Sequence, residues 1–140
     1  MQIRDAVDTP FVGFAGGDLL VQGNEGVDIV ALSHADSGLY SYGDMVLRSE
    51  NPVGGDAHYW SLGEFRVETL KDDLGSLYSP NDPIIFARGD VSFDAFLGAS
   101  LHIFAGGEVN IPSFIQVTGA DTIAGFFRGC NSLRWNRCSD

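Results

Sequence analysis

Between Gly89 and Ile111 the chain repeats one short phrase three times: Gly89-Asp90-Val91-Ser92-Phe93, Gly98-Ala99-Ser100-Leu101-His102-Ile103 and Gly107-Glu108-Val109-Asn110-Ile111. Each unit is a glycine, a polar or small stretch, and two apolar side chains separated by one residue. That alternation is the strand period, in which neighbouring side chains point to opposite faces. The glycines are nine residues apart, too close for helices between them. They are expected at corners where the backbone needs positive φ.

The phrase also occurs earlier, at Gly17-Asp18-Leu19-Leu20-Val21, Gly26-Val27-Asp28-Ile29-Val30, Gly43-Asp44-Met45-Val46-Leu47 and Gly63-Glu64-Phe65-Arg66-Val67. One glycine per larger step gives Gly17, Gly43, Gly63, Gly89 and Gly107, with steps of 26, 20, 26 and 18 residues. A degenerate repeat of this size with several short strands per turn predicts an all-β solenoid, a parallel β-helix of about five coils. The structural alternative is a β-sandwich, which would show turn signals roughly every 8–12 residues. In the solenoid, Leu19, Val21, Met45, Leu47, Phe65, Val67, Val91, Phe93, Val109 and Ile111 line the interior, joined by Val27 and Ile29.

Residues 1–10 read as a lead-in, 11–124 as the repeat segment and 125–140 as an atypical tail or cap. Within the repeat, 33–41 read as turn-like, 51–61 as a projecting loop and 70–83 as a second loop. Residues 84–87 and 114–117 read as further strands. In the tail, Ile123, Phe126, Phe127, Cys130 and Leu133 fall near a helical stripe behind an N-cap at Asp121 or Thr122. Gly125 and Gly129 weaken that short helical cap.

Charge narrows the partners. The chain has 19 acidic and 8 basic residues, a net charge of −11, and Lys71 is its one lysine. Such a surface repels nucleic acid and anionic membranes, so neither a nucleic-acid partner nor membrane insertion is expected. No run reaches the 18 or so apolar residues of a membrane span. Residues 1–8 lack the basic-then-apolar order of a signal peptide. Cys130 and Cys138 suit either a disulfide or free thiols and do not decide the redox compartment.

No constellation of catalytic residues stands out. Tyr40, Tyr42, Tyr59 and Trp60 are the candidate ligand-binding aromatics, for a surface glycan or a protein, because rings give large contact area at low entropic cost. The bland reading is that Trp60 folds back as a loop anchor. Asp72 and Asp73, with Asp82 nearby, read as a calcium loop, a carboxylate pair or a solvated acidic loop. The repeated Gly-Gly-x-Gly-x-Asp calcium phrase is missing, which favours the last. His34, His58 and His102 have no metal-ligand spacing, and His102 is expected to face outward. Neither metal nor cofactor is expected. Arg88-Gly89-Asp90 spells a cell-attachment tripeptide, but Gly89 is already explained as a corner.

Taken together, the runs 17–29, 43–49, 89–93 and 98–107, which carry the phrases quoted above together with Gln22-Gly23-Asn24-Glu25, Arg48-Ser49 and Phe104-Ala105-Gly106-Gly107, resemble the interior of filamentous-haemagglutinin-like exoproteins, over roughly residues 11–124. The resemblance implies a right-handed parallel β-helix, an adhesive or structural stalk without catalysis, and a cell-surface location for the parent protein. It also implies export by two-partner secretion through an outer-membrane transporter. The expectation is an interior stalk segment, since the Asn-Pro-Asn-type motifs of the family's secretion domain are not in this sequence. The alternatives are a polysaccharide lyase or hydrolase, with Asp72, Asp73 and Asp82 beside Trp60, and a truncated remnant without function.

Overall fold

The computed structural model describes residues 1–81 and 83–118; the predicted tail helix, Cys130, Cys138 and Asp82 lie outside them. The described chain forms sixteen short strands and no helix. They are β1 (Gln2–Arg4), β2 (Val12–Ala15), β3 (Leu19–Gly23), β4 (Asp28–Val30), β5 (Gly38–Ser41) and β6 (Met45–Ser49). Next come β7 (Val53–Asp56), β8 (His58–Ser61), β9 (Phe65–Glu68), β10 (Leu77–Ser79) and β11 (Ile84–Ala87). The last are β12 (Val91–Ser92), β13 (Ala95–Gly98), β14 (His102–Ala105), β15 (Val109–Asn110) and β16 (Phe114–Val117).

Every third strand joins the same sheet. Sheet 1 runs β1-β4-β7-β10-β13-β16, sheet 2 runs β2-β5-β8-β11-β14, and sheet 3 runs β3-β6-β9-β12-β15. All pairings between these strands are parallel. Three parallel sheets visited in rotation make a β-helix and exclude the sandwich, whose facing sheets are antiparallel. The sheet 3 register runs Leu19↔Met45↔Phe65↔Val91↔Val109. Its steps of 26, 20, 26 and 18 residues are those of the glycine repeat.

The interior is built as the alternation predicts. Met45, Leu47, Phe65, Val67, Val91 and Phe93 are completely buried, Val27, Ile29, Val21, Val109 and Ile111 are buried, and Leu19 packs partly buried against them. Removing one such side chain from water contributes on the order of 1.5–3 kcal/mol before chain entropy is subtracted.

Four local expectations change. Residues 2–4 belong to the solenoid, because β1 pairs with β4. Asp5 fastens the segment after it: its carboxylate accepts from Ser37 Oγ at 2.6 Å, His34 N–H at 2.9 Å and Ser33 N–H at 3.2 Å. Residues 38–41 are strand β5, whose Gly38 leaves the space that the Tyr40 phenol occupies. The supposed loop 51–61 is β7 and β8, where Gly55 makes room for the Tyr59 hydroxyl and Leu77. The second loop contains β10, which leaves 69–76 as the true projection.

The corner glycines also have a different cause from the expected one. No described glycine lies in the left-handed region. Instead, each corner aspartate folds onto the coil above it. Asp18 Oδ1 accepts the Asp44 N–H at 2.8 Å, Asp44 Oδ1 the Glu64 N–H at 2.9 Å, and Asp90 Oδ1 the Glu108 N–H at 2.8 Å. A Cβ at Gly43, Gly63 or Gly107 would overlap the carboxylate oxygen of Asp18, Asp44 or Asp90 respectively, while at Gly17 it would meet nothing. Glycine is required here because the corner below occupies the place of a side chain.

Candidate functional site: an aromatic row on sheet 2

Registers in sheet 2 align Phe14↔Tyr40↔Trp60↔Phe86↔Phe104. Strand alternation sends all five outward, one ring per coil. Phe14 is 62% exposed, Trp60 44%, Phe86 39% and Phe104 56%, with Tyr40 partly buried. Stacked strands are about 4.8 Å apart, so the row is about 19 Å long. Tyr40 and Trp60 lie with ring centroids 5.2 Å apart and nearly face each other, and Tyr42 meets Phe14 edge-on at 5.6 Å. Such pairs contribute about 0.5–1.5 kcal/mol each, so part of the row supports the stack. Phe14 and Phe104 remain more than half exposed.

Neighbouring rows complete the surface. On one side stand Val12, Gly38, His58, Ile84 and His102, in register with one another. On the other side the turn residues Tyr42 and Leu62 are exposed, with Arg88 following in the next coil. None of the 19 acidic residues lies in 12–17, 38–43, 58–63, 84–89 or 102–107, and Arg88 is the one lysine or arginine there. The acids begin one residue later, as the corner row Asp18, Asp44, Glu64, Asp90 and Glu108. Sheet 3 has no such ladder, since the equivalent register reads Leu20, Val46, Arg66, Ser92 and Asn110, with Ser92 buried.

Of the residues singled out from the sequence, Tyr40, Tyr42 and Trp60 come together on this face. Tyr59 does not: it is wholly buried between Leu39 and Ile85, beside Phe65 at 5.0 Å. Its hydroxyl has no hydrogen-bond partner, and burial, followed by the Asp56 carboxylate, pushes the phenol far above its ordinary pKa.

Asp72 and Asp73 stand in the 69–76 projection between sheets 3 and 1, at another corner of the coil from Trp60. Asp72 takes φ of 67°, a left-handed conformation that aspartate tolerates, and its side chain lies 3.9 Å from Arg48. The main chains of Asp72 and Asp73 close the turn with Thr69. No group of three or more potential metal ligands occurs among the described residues. Next to this loop, Glu68 accepts from Arg48 at 2.7 Å and Arg66 at 2.8 Å. Burial alone would raise the Glu68 carboxyl, but hydrogen bonds from Arg66 and Arg48 hold it below its ordinary pKa. In Arg88-Gly89-Asp90, the aspartate is held by the corner ladder described above.

Phe14, Phe86 and Phe104 were not singled out from the sequence, yet a signal was present. Every ring stands three residues before a corner glycine: Phe14-Ala15-Gly16-Gly17-Asp18, Tyr40-Ser41-Tyr42-Gly43-Asp44, Trp60-Ser61-Leu62-Gly63-Glu64, Phe86-Ala87-Arg88-Gly89-Asp90 and Phe104-Ala105-Gly106-Gly107-Glu108. The full phrase is aromatic, alanine or serine, any residue, glycine, acid. The small second residue points inward at the tight strand end, where Ser41 and Ser61 both donate to the Gly43 carbonyl at 2.9 Å. Compared with known family models, curated proteins and solved structures, the chain matches none.

Proposed function

We propose that this chain is a structural and adhesive segment of a secreted bacterial surface exoprotein, a rod that presents sheet 2 as its contact face and carries out no catalysis. The observation that supports this reading is the acid-free row of five outward rings on a chain of net charge −11. A contiguous exposed apolar strip of this kind marks an interaction surface. Export through an outer-membrane transporter as part of a longer protein belongs to the same reading and draws on the resemblance of the glycine phrases. A lyase or hydrolase would need carboxylates flanking a bound sugar. Asp72 and Asp73 sit at a different corner from Trp60, so the geometry favours display over turnover.

The test is retention of beads carrying the full chain on immobilised polysaccharide, protein and lipid surfaces, compared with the Tyr40→Ser/Trp60→Ser/Phe86→Ser variant. The reading expects retention on at least one surface and its loss in the variant, with the circular dichroism of a β-helix kept. Equal retention by both chains, or depolymerisation of a polysaccharide by the wild type, would overturn it.

A further inference from the structure

We infer that the N-terminal end of the rod is an interface for one further coil of the same solenoid, a coil that winds into β1 from sheet 3 and carries its own Gly-acid corner. This end is separate from the sheet 2 face, and its role holds whether or not that face binds a ligand.

Two glycines at this end have no reason of their own. The first and last coils turn from sheet 2 to sheet 3 with nearly the same phrase, Phe14-Ala15-Gly16-Gly17-Asp18 and Phe104-Ala105-Gly106-Gly107-Glu108. In the last coil both glycines are required by the coil beneath. A Cβ at Gly106 would overlap the Arg88 carbonyl oxygen, and one at Gly107 the Asp90 carboxylate. At Gly16 and Gly17 a Cβ would meet nothing among the described residues, and neither glycine lies in the left-handed region. A glycine that neither crowding nor a left-handed backbone requires only adds entropy to the unfolded chain. Both are accounted for by a carbonyl and a carboxylate beneath them, placed as those of Arg88 and Asp90 are beneath Gly106 and Gly107.

The rest of the end suits such a coil. β1, β2 and β3 are the first strands of their sheets, so each has one edge without a strand beside it. Ile3 and Leu19 are partly buried there, whereas Ile29 and Met45, next in the same registers, are completely buried. Open edges and half-covered apolar side chains would accept any strand. The glycine pair selects one with an acid at this corner.

Topology selects the source. The chain visits sheets 1, 2 and 3 in rotation. A polypeptide winding into β1 therefore comes from sheet 3, beneath β3, and before that from sheet 2, beneath β2. Its corner between those two falls under Gly16 and Gly17. A second copy of the chain cannot supply it, because β16 stands on sheet 1 one rung beyond β13. With that copy's β14 and β15 under β2 and β3, its β16 would occupy the place of β1.

The experiment joins a copy of residues 77–95 ahead of Met1 in the full chain, the length that carries Leu77 to its register partner Phe96. The urea midpoint of the extended chain is expected to rise. Gly16→Ala and Gly17→Ala, silent in the original chain, should each lower the midpoint of the extended one by about 1 M. Alanine in place of the added coil's copy of Asp90 should relieve Gly17→Ala but not Gly16→Ala, which meets main chain. A midpoint that does not rise, or glycine variants as silent in the extended chain as in the original, would overturn the inference.

Discussion

The Gly-acid corner and the aromatic row recur together once per coil, three residues apart, yet they answer to different demands. At Gly43, Gly63 and Gly107 every part of the corner is explained by the coil beneath it: the glycine makes room for a carboxylate, and the carboxylate satisfies a backbone N–H. In the row, stacking explains why Tyr40 and Trp60 touch, but not why all five rings are large, outward and without an acid in their own strands. A feature accounted for by folding is expected to cost stability when changed. One that folding leaves unexplained is expected to cost binding.

The largest effect should come from the corner itself. At Gly63 an added Cβ would overlap Asp44 Oδ1 and lie 2.9 Å from the Gly43 carbonyl carbon, so Gly63→Ala should destabilise by about 2–3 kcal/mol in urea unfolding. Gly17→Ala, where no coil lies beneath, should leave the midpoint unchanged. Equal losses at the two sites would show that backbone freedom, not crowding, selects glycine.

Asp44→Ala should cost about 1 kcal/mol, the worth of the Glu64 N–H bond it accepts. Combined with Gly63→Ala it should cost less than the two losses added, because removing the carboxylate vacates the space the methyl needs. Strict additivity would separate the glycine from the aspartate.

Acid provides a third handle. A carboxylate whose pKa is depressed on folding contributes stability above its unfolded pKa and loses it as pH falls through the folded value. Glu68 is such a group, below its ordinary 4.5, and so is Asp5, where burial opposes but hydrogen bonds from Ser37, His34 and Ser33 prevail, below 3.8. Thermal stability should therefore fall as pH drops below about 4.5, partly offset by relief of repulsion among 19 acids. Glu68→Gln should flatten that fall; an unchanged slope would remove Glu68 as a cause.

The smallest effect lies one residue from the row. Tyr59→Phe removes a buried hydroxyl that has no partner and should raise stability by up to about 1 kcal/mol, seen as a rise of about 3 °C in Tm. A loss would mean that the hydroxyl fills the gap over Gly55 to greater benefit.

Much of this was legible in the sequence because one corner keeps a constant length. Between sheets 2 and 3 the connection is always three residues, from Gly16-Gly17-Asp18 to Gly106-Gly107-Glu108, so phrase and period survive in the chain. The other two corners range from the single residue Ala57 to the eight residues 69–76, and this drift hid β5, β7 and β10 among apparent loops. The row was half legible. Tyr40 and Trp60 stood out as rings in polar surroundings, whereas Phe14, Phe86 and Phe104 look like ordinary core residues until register places them outside. Tyr59 misled for the converse reason, since it adjoins Trp60 but the strand period turns it inward.

All of the binding account depends on five coils stacked in register. Spin labels on the outward row of sheet 3 measure that stack directly, in a chain whose Cys130 and Cys138 are replaced by serine. Val46 and Asn110 are three rungs apart and Leu20 and Asn110 four, so backbone separations of about 14 Å and about 19 Å are expected. Separations that grow by one rung's spacing would uphold the ladder, and separations that do not follow the rung count would contradict it.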